Sequence, residues 1–259
     1  MTLVLLPPSE TKLSPDSGSK LDLENLAFSE LFEKRSKAIA ELIKLSSGRQ
    51  QKALDALGIS KKQEVELVRN QQLWTAPTSP AWQIYTGVLF EALNPHSLTA
   101  AQQKKLVGLT NVQSALFGLI SLGDMIPAYR LSGDCVLPKI GSLSKFWGED
   151  CTKILEQEAE LIIDMRSGTY AKLGPLPSSV LSVIPKILQR MKSGPPKVVS
   201  HHNKATKGRI LRAVAQSKSK VKTIDGLAEI ISALGADVER KTPAKVAGPV
   251  VLEVVVDVL

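Results

Sequence analysis

The amino-acid sequence predicts a mixed α/β fold in a single compact domain. Short runs rich in valine, leucine and isoleucine alternate along the chain with longer stretches of helical periodicity, an order typical of mixed α/β domains. The 259 residues are 43% hydrophobic and 22% charged, which is ordinary for a globular chain with a substantial core. The Pro/Gly-rich stretches KLGPLPSS and KSGPP are too short to act as domain linkers. We therefore expect residues 1–259 to form one domain.

The predicted elements begin with a buried strand at residues 3–6, LVLL, which a pair of prolines terminates. A helix is predicted over residues 24–45, where leucines and isoleucines recur every three or four positions. Residues 49–70 form a second helical segment that is interrupted at Gly58, whereas residues 100–120 support no assignment. Valine and isoleucine content predicts three further strands, at residues 161–165, 197–201 and 250–259.

The net charge of +8 is confined to one segment of the chain. Residues 165–224 contain thirteen Lys or Arg and no Asp or Glu, whereas the other 199 residues carry 20 basic and 25 acidic side chains. Such segregation is typical of a surface that binds a polyanion. A basic face that serves only solubility is the alternative interpretation.

Several classes of protein are disfavoured by the sequence. No apolar run approaches the roughly 18 residues of a membrane span, and the N-terminus MTLVLLPPSETK lacks the features of a signal peptide. Cys135 and Cys151 form no disulfide framework, so we expect a cytoplasmic protein with no membrane partner. Neither a P-loop nor the G-x-G-x-x-G fingerprint occurs, which disfavours nucleoside triphosphate chemistry.

A metal site is not expected either. His201 ends the predicted strand at 197–201 and His202 follows it directly; adjacent side chains on a strand point to opposite faces and cannot share one ion. His96 is the third histidine, and the two cysteines have no usual ligand spacing. We predict no metal and no other cofactor, and the role of His201 and His202 stays open.

The break at Gly58 is the first candidate phosphate contact. Gly58 lies between two aliphatic residues, and Ser60 with Gln63 fits the capping-box pattern that starts a helix. Lys61 and Lys62 would then lie beside free backbone amides, as in helix–hairpin–helix elements that contact nucleic-acid phosphates. Any helical hairpin with a glycine C-cap gives the same pattern, so a purely structural turn is the alternative.

The stretch VVSHHNKATKGRILRAV gives a second candidate. With Asn203 as the N-cap, Lys204 and Lys207 lie near a helix N-terminus whose amide dipoles are already positive. An anion would offset this charge, Gly208 would let a ligand approach the backbone, and Arg212 lies on the same side as Lys204. Extension of the Lys207 side chain to solvent is the alternative. We predict an anion site, with a phosphate as its occupant.

Polar residues in predicted loops give further candidates. Asp124, Tyr129 and Arg130 lie in LGDMIPAYRLSGD, and Asp124 or Tyr129 would serve as the acid or base if the protein is an enzyme. An Asp near an Arg is more often a structural ion pair. Arg166, Ser167 and Tyr170 follow the predicted strand LIIDM, a position at which α/β proteins bind ligands.

Two aromatic motifs complete the set. Tyr85 and Thr86 in IYTGVLF combine an aromatic ring with a hydroxyl, which suits a flat or anionic ligand but equally suits a plain turn. Lys145 lies two residues before Trp147, whose indole can stack on a base or pack in the core.

Taken in order along the chain, several motifs resemble the bacterial peroxide stress protein YaaA family. The motifs are LPPSETK, YTG, ALFGLISLGDMIPAYRL, KFWG and HNKATKGRI. Each is weak alone, but the ordered set spans nearly the whole chain. The resemblance implies a cytosolic protein of the hydroperoxide response that limits iron-driven oxidative damage.

The resemblance also implies a fold particular to the family, with a basic cleft and a helix–hairpin–helix element that binds DNA. The hairpin corresponds to residues 58–62 of this sequence. The cleft corresponds to Lys12, Tyr85, Thr86, Asp124, Tyr129, Arg130, Lys145, Arg166, Ser167, Lys204 and Lys207.

Two main hypotheses about function follow. The first is a monomeric, stress-protective protein that binds duplex DNA through backbone phosphates, without reading its sequence. The second is an enzyme that acts on a nucleotide or a phosphorylated small molecule in the same cleft. Direct sequestration of iron is a third interpretation, and it lacks the His/Cys cluster it would need.

Overall fold

The computed structural model describes residues 1–241 and 248–257, except for the side chains of residues 200 and 201. Within these residues the strands are β1 (Thr2–Leu6), β2 (Ser79–Pro80), β3 (Thr110–Ser114), β4 (Gly118–Ser121), β5 (Met125–Ile126), β6 (Val136–Leu137), β7 (Gly141–Ser142), β8 (Leu161–Asp164), β9 (Leu181–Gln189), β10 (Asp237–Lys241) and β11 (Val250–Val256). The α-helices are α1 (Phe32–Ser46), α2 (Gln50–Leu57), α3 (Val65–Gln71), α4 (Ala81–Ile84), α5 (Val88–Leu93), α6 (Ala100–Leu109), α7 (Leu143–Glu158), α8 (Gly168–Ala171), α9 (Ser200–Gln216) and α10 (Ile224–Ser232).

A seven-stranded sheet in the order β10-β11-β9-β8-β1-β3-β4 organises the fold, which confirms the predicted mixed α/β class. Strand β1 lies between β3 and β8 and is parallel to both, so that Val4 faces Thr110 on one side and Ile163 on the other. Strands β9 and β11 continue the parallel arrangement, and the edge strands β10 and β4 are antiparallel. Two small two-stranded sheets, β2-β5 and β6-β7, accompany it.

The order of the parallel strands creates a switch point beside β1. Counted along the chain, the five parallel strands stand in the order second, first, third, fourth and fifth, which is one of the two common orders of doubly wound sheets. From β1 the chain places the next parallel strand, β3, on one side, and it then adds β8, β9 and β11 on the other side. The order of the strands therefore reverses between β1 and β8. Ligands of open α/β sheets bind outside the carboxyl ends of the strands at such a point. In this protein the segments that begin at Pro7, after β1, and at Met165, after β8, meet there.

The aliphatic strands in the middle of the sheet are buried because both of their faces are covered. All four aliphatic residues of β1, from Leu3 to Leu6, are buried, and β8 is buried along its whole length. A parallel strand covered on both faces requires a continuous hydrophobic run rather than alternation. This requirement explains why these two strands are visible in the sequence, and the structure confirms both. It also confirms the predicted strand at 250–259 as β11, whose residues alternate between buried and half-buried; residues 258 and 259 lie outside the described part of the chain.

Strand β9 is absent from the sequence-based prediction because Pro185 lies in its middle. Proline cannot donate to a ladder hydrogen bond, so it argues against a central strand. In the structure β9 pairs with β8 over Leu181–Val183, and from Pro185 onward it pairs, among the described residues, with β11 on one side and with Lys197 at the single bridge of Gln189 on the other. The proline therefore lies where the strand has one free edge.

The predicted helix at 24–45 is too long at its start. Helix α1 begins at Phe32, and residues before it turn through Phe28, which has a left-handed backbone with φ 62°. The buried Arg35 fixes this turn by donating to the carbonyl oxygens of Ala27, Phe117 and Leu119 over 2.7–3.0 Å. These contacts come from distant parts of the chain, which local periodicity cannot reveal.

The prediction around residues 197–204 is wrong. The expected strand at 197–201 is reduced to one bridge between Lys197 and Gln189, and α9 begins at Ser200 with Val199 as its N-cap. Asn203 is therefore not the N-cap, and Lys204 lies in the second turn of the helix. The dipole argument for an anion at Lys204 and Lys207 no longer applies.

Helix α9 packs against α5, α6, α10 and β9. A Cβ atom on Gly208 would lie 2.2 Å from the carbonyl oxygen of Leu89 and 3.0 Å from the backbone nitrogen of Leu93, so the glycine permits close approach of α5. The space beside Gly208 is thus filled by protein. Arg212 donates to the carbonyl oxygens of Leu93 and Asn94 and caps the C-terminal end of α5.

The interruption of the second helical segment is confirmed. Helix α2 ends at Gly58, whose left-handed backbone (φ 61°) suits glycine, and Ser60 with Gln63 forms the capping box before α3. Trp147 is fully buried and donates its indole N–H to the carbonyl oxygen of Ala115 over 2.9 Å, so it is a core residue. None of the described helices is both long and apolar enough to cross a membrane.

Replacing Gly208 with alanine should destabilise the protein, because the new Cβ collides with α5. We expect a loss of roughly 1–3 kcal/mol in the free energy of unfolding, measured by urea denaturation. The control is Gly108→Ala in α6, where a Cβ meets nothing within 4 Å and should stabilise the helix by roughly 0.5–1 kcal/mol. Equal effects of the two substitutions would contradict the packing of α9 against α5.

Candidate functional site

The candidate site lies on the loop that follows β1, at the switch point of the sheet. Lys12 on this loop forms an isolated antiparallel bridge with Tyr85, and the amide of Leu13 donates to the carbonyl oxygen of Ile84 over 2.9 Å. Thr86 holds the loop from the same side, since its amide donates to the Ser9 hydroxyl and its own hydroxyl donates to the Thr11 carbonyl. The LPPSETK and YTG motifs are thus neighbours in space.

Lys12 is buried beneath this loop against two aromatic rings. Its Nζ lies 4.1 Å from the centroid of the Tyr129 ring and 5.6 Å from that of Tyr85, and it donates to the carbonyl oxygen of Ser9 over 2.7 Å. Burial lowers the pKa of Lys12 from its ordinary value to about 7. Lys12 therefore exists partly as the neutral amine near neutral pH.

The charged groups around Lys12 come from three parts of the chain. Glu10 belongs to its own loop, Arg130 belongs to the loop before β6, and Glu66 and Arg69 belong to α3. Glu66 and Arg69 pair with each other at 2.6 Å, and Glu10 pairs with Arg130 at 2.9 Å. Because both carboxylates are already paired with arginines, desolvation dominates the pKa of Lys12.

A chain of hydroxyl groups passes next to the Lys12 side chain. The hydroxyls of Tyr85 and Tyr129 are 3.1 Å apart, and that of Tyr129 is 2.7 Å from Ser114 Oγ at the end of β3. Ser114 Oγ also accepts hydrogen bonds from the amides of Leu116 and Phe117, which fixes its position. Burial raises the pKa of both tyrosines, so both remain protonated and can donate.

Glu10 lies on the exposed side of a group of neighbouring side chains that we call the Lys12 cluster. Its members are Lys12, Tyr85, Tyr129, Ser114, Arg130 and Glu10. The Glu10 carboxylate forms an ion pair with Arg130 Nη1 at 2.9 Å and accepts hydrogen bonds from the Tyr170 hydroxyl at 3.0 Å and from Ser132 Oγ at 3.4 Å. Arg130 Nη1 also donates to the backbone carbonyl of Glu10 at 3.4 Å. The backbone of Arg130 is held by Asn70, whose side-chain amide accepts from the Arg130 N–H and donates to its carbonyl oxygen. Helix α3 and the Arg130 loop are therefore one connected unit.

A second group of buried charged side chains lies at the end of β8. Arg166 pairs with Asp164 through both carboxylate oxygens, at 2.9 and 2.8 Å, and also donates to Gln113 and to the Gly174 carbonyl. Lys207 Nζ reaches this end of β8 from α9 and donates to the Met165 carbonyl at 3.1 Å. Burial lowers the pKa of Lys207, and the nearby Asp164 partly offsets this.

The structure brings only some of the sequence-predicted residues together. Lys12, Tyr85, Thr86, Tyr129 and Arg130 converge at the loop after β1. Arg166 and Lys207 converge on the neighbouring end of β8.

The other predicted residues lie elsewhere. Lys145 is exposed on α7, Lys204 is exposed on α9, and Ser167 is exposed as the N-cap of α8. Lys61 and Lys62 are exposed after α2.

Asp124 has a structural environment rather than that of an acid or base in the cluster. Its carboxylate accepts hydrogen bonds from the amides of Ala27 and Ser121, at 3.0–3.2 Å, and Arg35 is its charged neighbour. Burial raises the pKa of Asp124, and these hydrogen bonds counteract the rise. Asp124 thus anchors the turn that precedes α1.

Sequence reasoning missed three members of this arrangement as site residues: Glu10, Ser114 and Asn70. Glu10 follows β1 in the SETK motif, and its position just after a parallel strand is the signal that indicates a site residue. Ser114 and Asn70 gave no sequence signal, because their roles depend on contacts with Tyr129 and Arg130.

Among the described residues, no group of three or more His, Cys, Asp or Glu side chains could hold a metal ion. Cys135 and Cys151 are both free and buried, and burial raises the pKa of Cys151 to about 11. The side chain of His201 lies outside the described part of the chain.

The fold and the cluster define a mixed α/β protein with a buried lysine, tyrosine and arginine site at the carboxyl edge of its sheet. The chain belongs to the family described as "Peroxide stress protein YaaA", which matches residues 2–238. This match confirms the family suggested by the sequence motifs.

Curated relatives carry the name "UPF0246 protein". The chain is 42% identical over 241 residues to one from Corynebacterium efficiens, a match that covers 92% of this chain and 94% of the relative. It is 36% identical over 256 residues to one from Streptomyces coelicolor, which covers 98% of both chains. A relative from Corynebacterium glutamicum is 39% identical over 241 residues and covers 92% and 94%.

Replacing Lys12 with methionine should change how stability depends on pH. Below about pH 7 Lys12 is charged in the folded and unfolded chains alike, so the full penalty of burying the charge is present. As the pH rises from about 7 toward the unfolded value of 10.5, the folded chain carries the neutral amine and the penalty is relieved. The wild-type protein should therefore gain stability relative to Lys12→Met across this window, on the order of 1 kcal/mol per pH unit.

Urea denaturation of both proteins between pH 6 and pH 10 measures this difference. The comparison isolates Lys12 from Lys207, whose pKa is also lowered by burial. Curves that stay parallel across the range would show that Lys12 has an ordinary pKa.

Proposed function

We propose that this protein acts in the peroxide stress response by binding duplex DNA through backbone phosphates. The supporting observation is the surface charge of residues 165–224. Ten of the thirteen basic side chains in this acid-free segment are exposed, and eight of the ten form no ion pair with any described residue. These eight are Lys172, Lys192, Lys197, Lys204, Arg209, Lys218, Lys220 and Lys222.

A surface Lys or Arg without an ion-pair partner can bind a phosphate without first breaking an ion pair with a carboxylate. Each phosphate neutralised by such a side chain releases condensed counterions, which supplies the favourable free energy of non-specific binding. Arg166, Lys207 and Arg212 are excluded from this role in the free protein, because they form internal hydrogen bonds. The proposal therefore rests on the exposed residues rather than on the total charge.

The turn between α2 and α3 supports the same proposal. The left-handed Gly58 and the capping box of Ser60 and Gln63 lead the chain toward α3, and Lys61 and Lys62 are exposed in the short 3-10 turn Lys61–Gln63 that precedes this helix. A helix start flanked by lysines suits a phosphate oxygen. We propose that this turn acts as the family's helix–hairpin–helix element.

The turn and the acid-free segment are joined to one edge of the sheet. Helix α3 is joined to the Arg130 loop through Asn70, and α9 is joined to the end of β8 through Lys207 and Met165. A basic cleft between α3 and α9 would then have the Lys12 cluster at its base. Phosphates would bind along the rim of this cleft, to which the proposal assigns Lys61, Lys62 and Lys204. Lys218, Lys220 and Lys222 follow the far end of α9, near Thr2 at the start of β1, and would extend the basic surface away from the cleft.

A second candidate function is an enzyme acting on a phosphate-bearing molecule at the Lys12 cluster. The observation that favours it is the combination of a lysine with a lowered pKa, two buried tyrosines and Arg130 at the switch point of the sheet. Perturbed ionisable groups in such a position are typical of functional sites. DNA binding along the rim and chemistry at the base are compatible.

Duplex DNA binding should weaken steeply with salt. If six to ten phosphates are contacted, the affinity should fall by roughly 10³-fold or more between 50 and 200 mM NaCl, as measured by fluorescence anisotropy with a labelled duplex. Duplexes of unrelated sequence should give the same affinity. An affinity that does not change across this range, or no binding at low salt, would contradict the proposal.

Reversing the charge of Lys61 and Lys62 to glutamate should weaken binding to all sequences alike and lower the salt slope by about 2. The matched control is the reversal of Lys20 and Lys37, which are exposed lysines outside the turn and the acid-free segment. Both double variants change the net charge equally. Equal losses of affinity would mean that only net charge matters and that the turn has no particular role.

A further inference from the structure

The Lys12 cluster contains a potential nucleophile that phosphate binding does not need. Among the described residues no carboxylate lies within ion-pair distance of Lys12 Nζ, and its hydrogen-bond partner is the backbone carbonyl of Ser9. A lysine that serves to hold an anion is instead charged and open to solvent. The surroundings of Lys12 are those of an amine held in its neutral form.

We propose that Lys12 forms an imine with the aldehyde group of a phosphorylated sugar bound at the carboxyl edge of β1. This inference rests on the second candidate function and names its reaction. An aldehyde close to a phosphate occurs in the deoxyribose of an abasic site in DNA and in free sugar phosphates. The two sources share the chemistry that Lys12 would recognise, and experiment separates them.

The reaction requires only groups present in the cluster. The neutral Nζ of Lys12 attacks the carbonyl carbon, and the carbonyl oxygen takes a proton to give a carbinolamine. The carbinolamine then loses water, so that one amine and one aldehyde give one imine and one water molecule. The hydroxyl chain of Tyr85, Tyr129 and Ser114 can deliver the proton to the oxygen and accept the proton that the nitrogen loses.

Burial favours the imine in two ways. Desolvation holds part of Lys12 neutral near pH 7, whereas an exposed lysine is almost entirely charged there. An imine is also hydrolysed by the water that its formation releases, so a site from which water is excluded prolongs its lifetime. The aromatic faces of Tyr129 and Tyr85 supply that exclusion and still accommodate the positive charge of a protonated imine.

An anion subsite lies next to Lys12 and is filled by the protein's own Glu10. Three donors converge on the Glu10 carboxylate: Arg130 Nη1, the Tyr170 hydroxyl and Ser132 Oγ. Arg130 Nε is buried and has no hydrogen-bond partner within the described residues, so Arg130 retains a further donor. The Glu10 side chain is 46% exposed, and a ligand phosphate can displace it from these donors.

Reductive trapping tests the proposal on the full-length protein. Sodium cyanoborohydride adds hydride to the imine carbon and converts it into a stable secondary amine. With glyceraldehyde 3-phosphate as the probe, we expect one adduct, mapped by peptide mass spectrometry to Lys12. Its rate of formation should follow deprotonation of Lys12 and reach half its maximum near pH 7, where an ordinary lysine would require a pH above 9.

Lys12→Arg keeps the positive charge but cannot form an imine, so we expect its trapping to fall at least tenfold. Lys20→Arg, an exposed lysine further along the same loop region, is the matched control and should trap like the wild type. Tyr129→Phe keeps the ring beside Nζ and should slow trapping without changing the site of the adduct. Equal labelling of wild type and Lys12→Arg, or adducts spread over exposed lysines with half-maximal rates above pH 9, would overturn the proposal.

The phosphate requirement is tested with unphosphorylated glyceraldehyde. Arg130→Gln should raise the concentration of glyceraldehyde 3-phosphate needed for half-maximal trapping by about tenfold and leave the trapping of glyceraldehyde unchanged. Equal effects on the two probes, or equal trapping of both by the wild type, would overturn the assignment of the anion subsite.

A duplex oligonucleotide with a single abasic site separates the two sources of the aldehyde. Trapping of this duplex at Lys12 in preference to glyceraldehyde 3-phosphate identifies DNA as the substrate, and the reverse preference identifies a free sugar phosphate. Failure to trap either probe overturns the imine. Anisotropy with an intact duplex measures DNA binding independently, so the loss of one property is distinguishable from the loss of the other.

Discussion

The parallel pairing of β1 with both β3 and β8 is the constraint on which the rest of this structure depends. Because neighbouring parallel strands end at the same edge of a sheet, the loop after β1, Ser114 at the end of β3 and Arg166 beyond β8 all lie at that edge. The strand order alone therefore brings the polar groups of the site to the same edge of the sheet. The reversal of strand order beside β1 leaves room for them, since the connections diverge there.

Three buried basic side chains near this edge show three ways to accommodate a cation. Arg166 has a carboxylate partner in Asp164, and loss of either partner would leave an uncompensated buried charge. Arg35 has backbone carbonyl groups instead and keeps its positive charge, although burial lowers its pKa to about 10. Lys12 has one carbonyl and two aromatic rings, and burial lowers its pKa to about 7. Lys12 can therefore change its protonation state near neutral pH.

The surface and the interior of the protein are connected through α3. Its residue Asn70 holds the backbone of Arg130, and Arg130 in turn holds the Glu10 carboxylate above Lys12. A phosphate bound at the turn before α3 would therefore lie one helix away from the groups that enclose the lysine. This connection would give the proposed DNA binding a physical route to influence the proposed chemistry at Lys12. It also explains why the LPPSETK and PAYR motifs, far apart in the chain, belong to one site.

The sequence by itself determined the α/β class, the strands β1, β8 and β11, and the break at Gly58, because continuous aliphatic runs and glycine turns are local properties. Its motifs also identified the family and, through it, Lys12, Tyr85, Tyr129 and Arg130 as neighbours. Only the tertiary structure decided the rest. Strand β9 contains a proline that is tolerated because of its free edge, and Gly208 faces α5 rather than a ligand. The lowered pKa of Lys12 and the ion pair of Glu10 with Arg130 also depend on the three-dimensional structure. Both arise from contacts between segments that are distant in the chain.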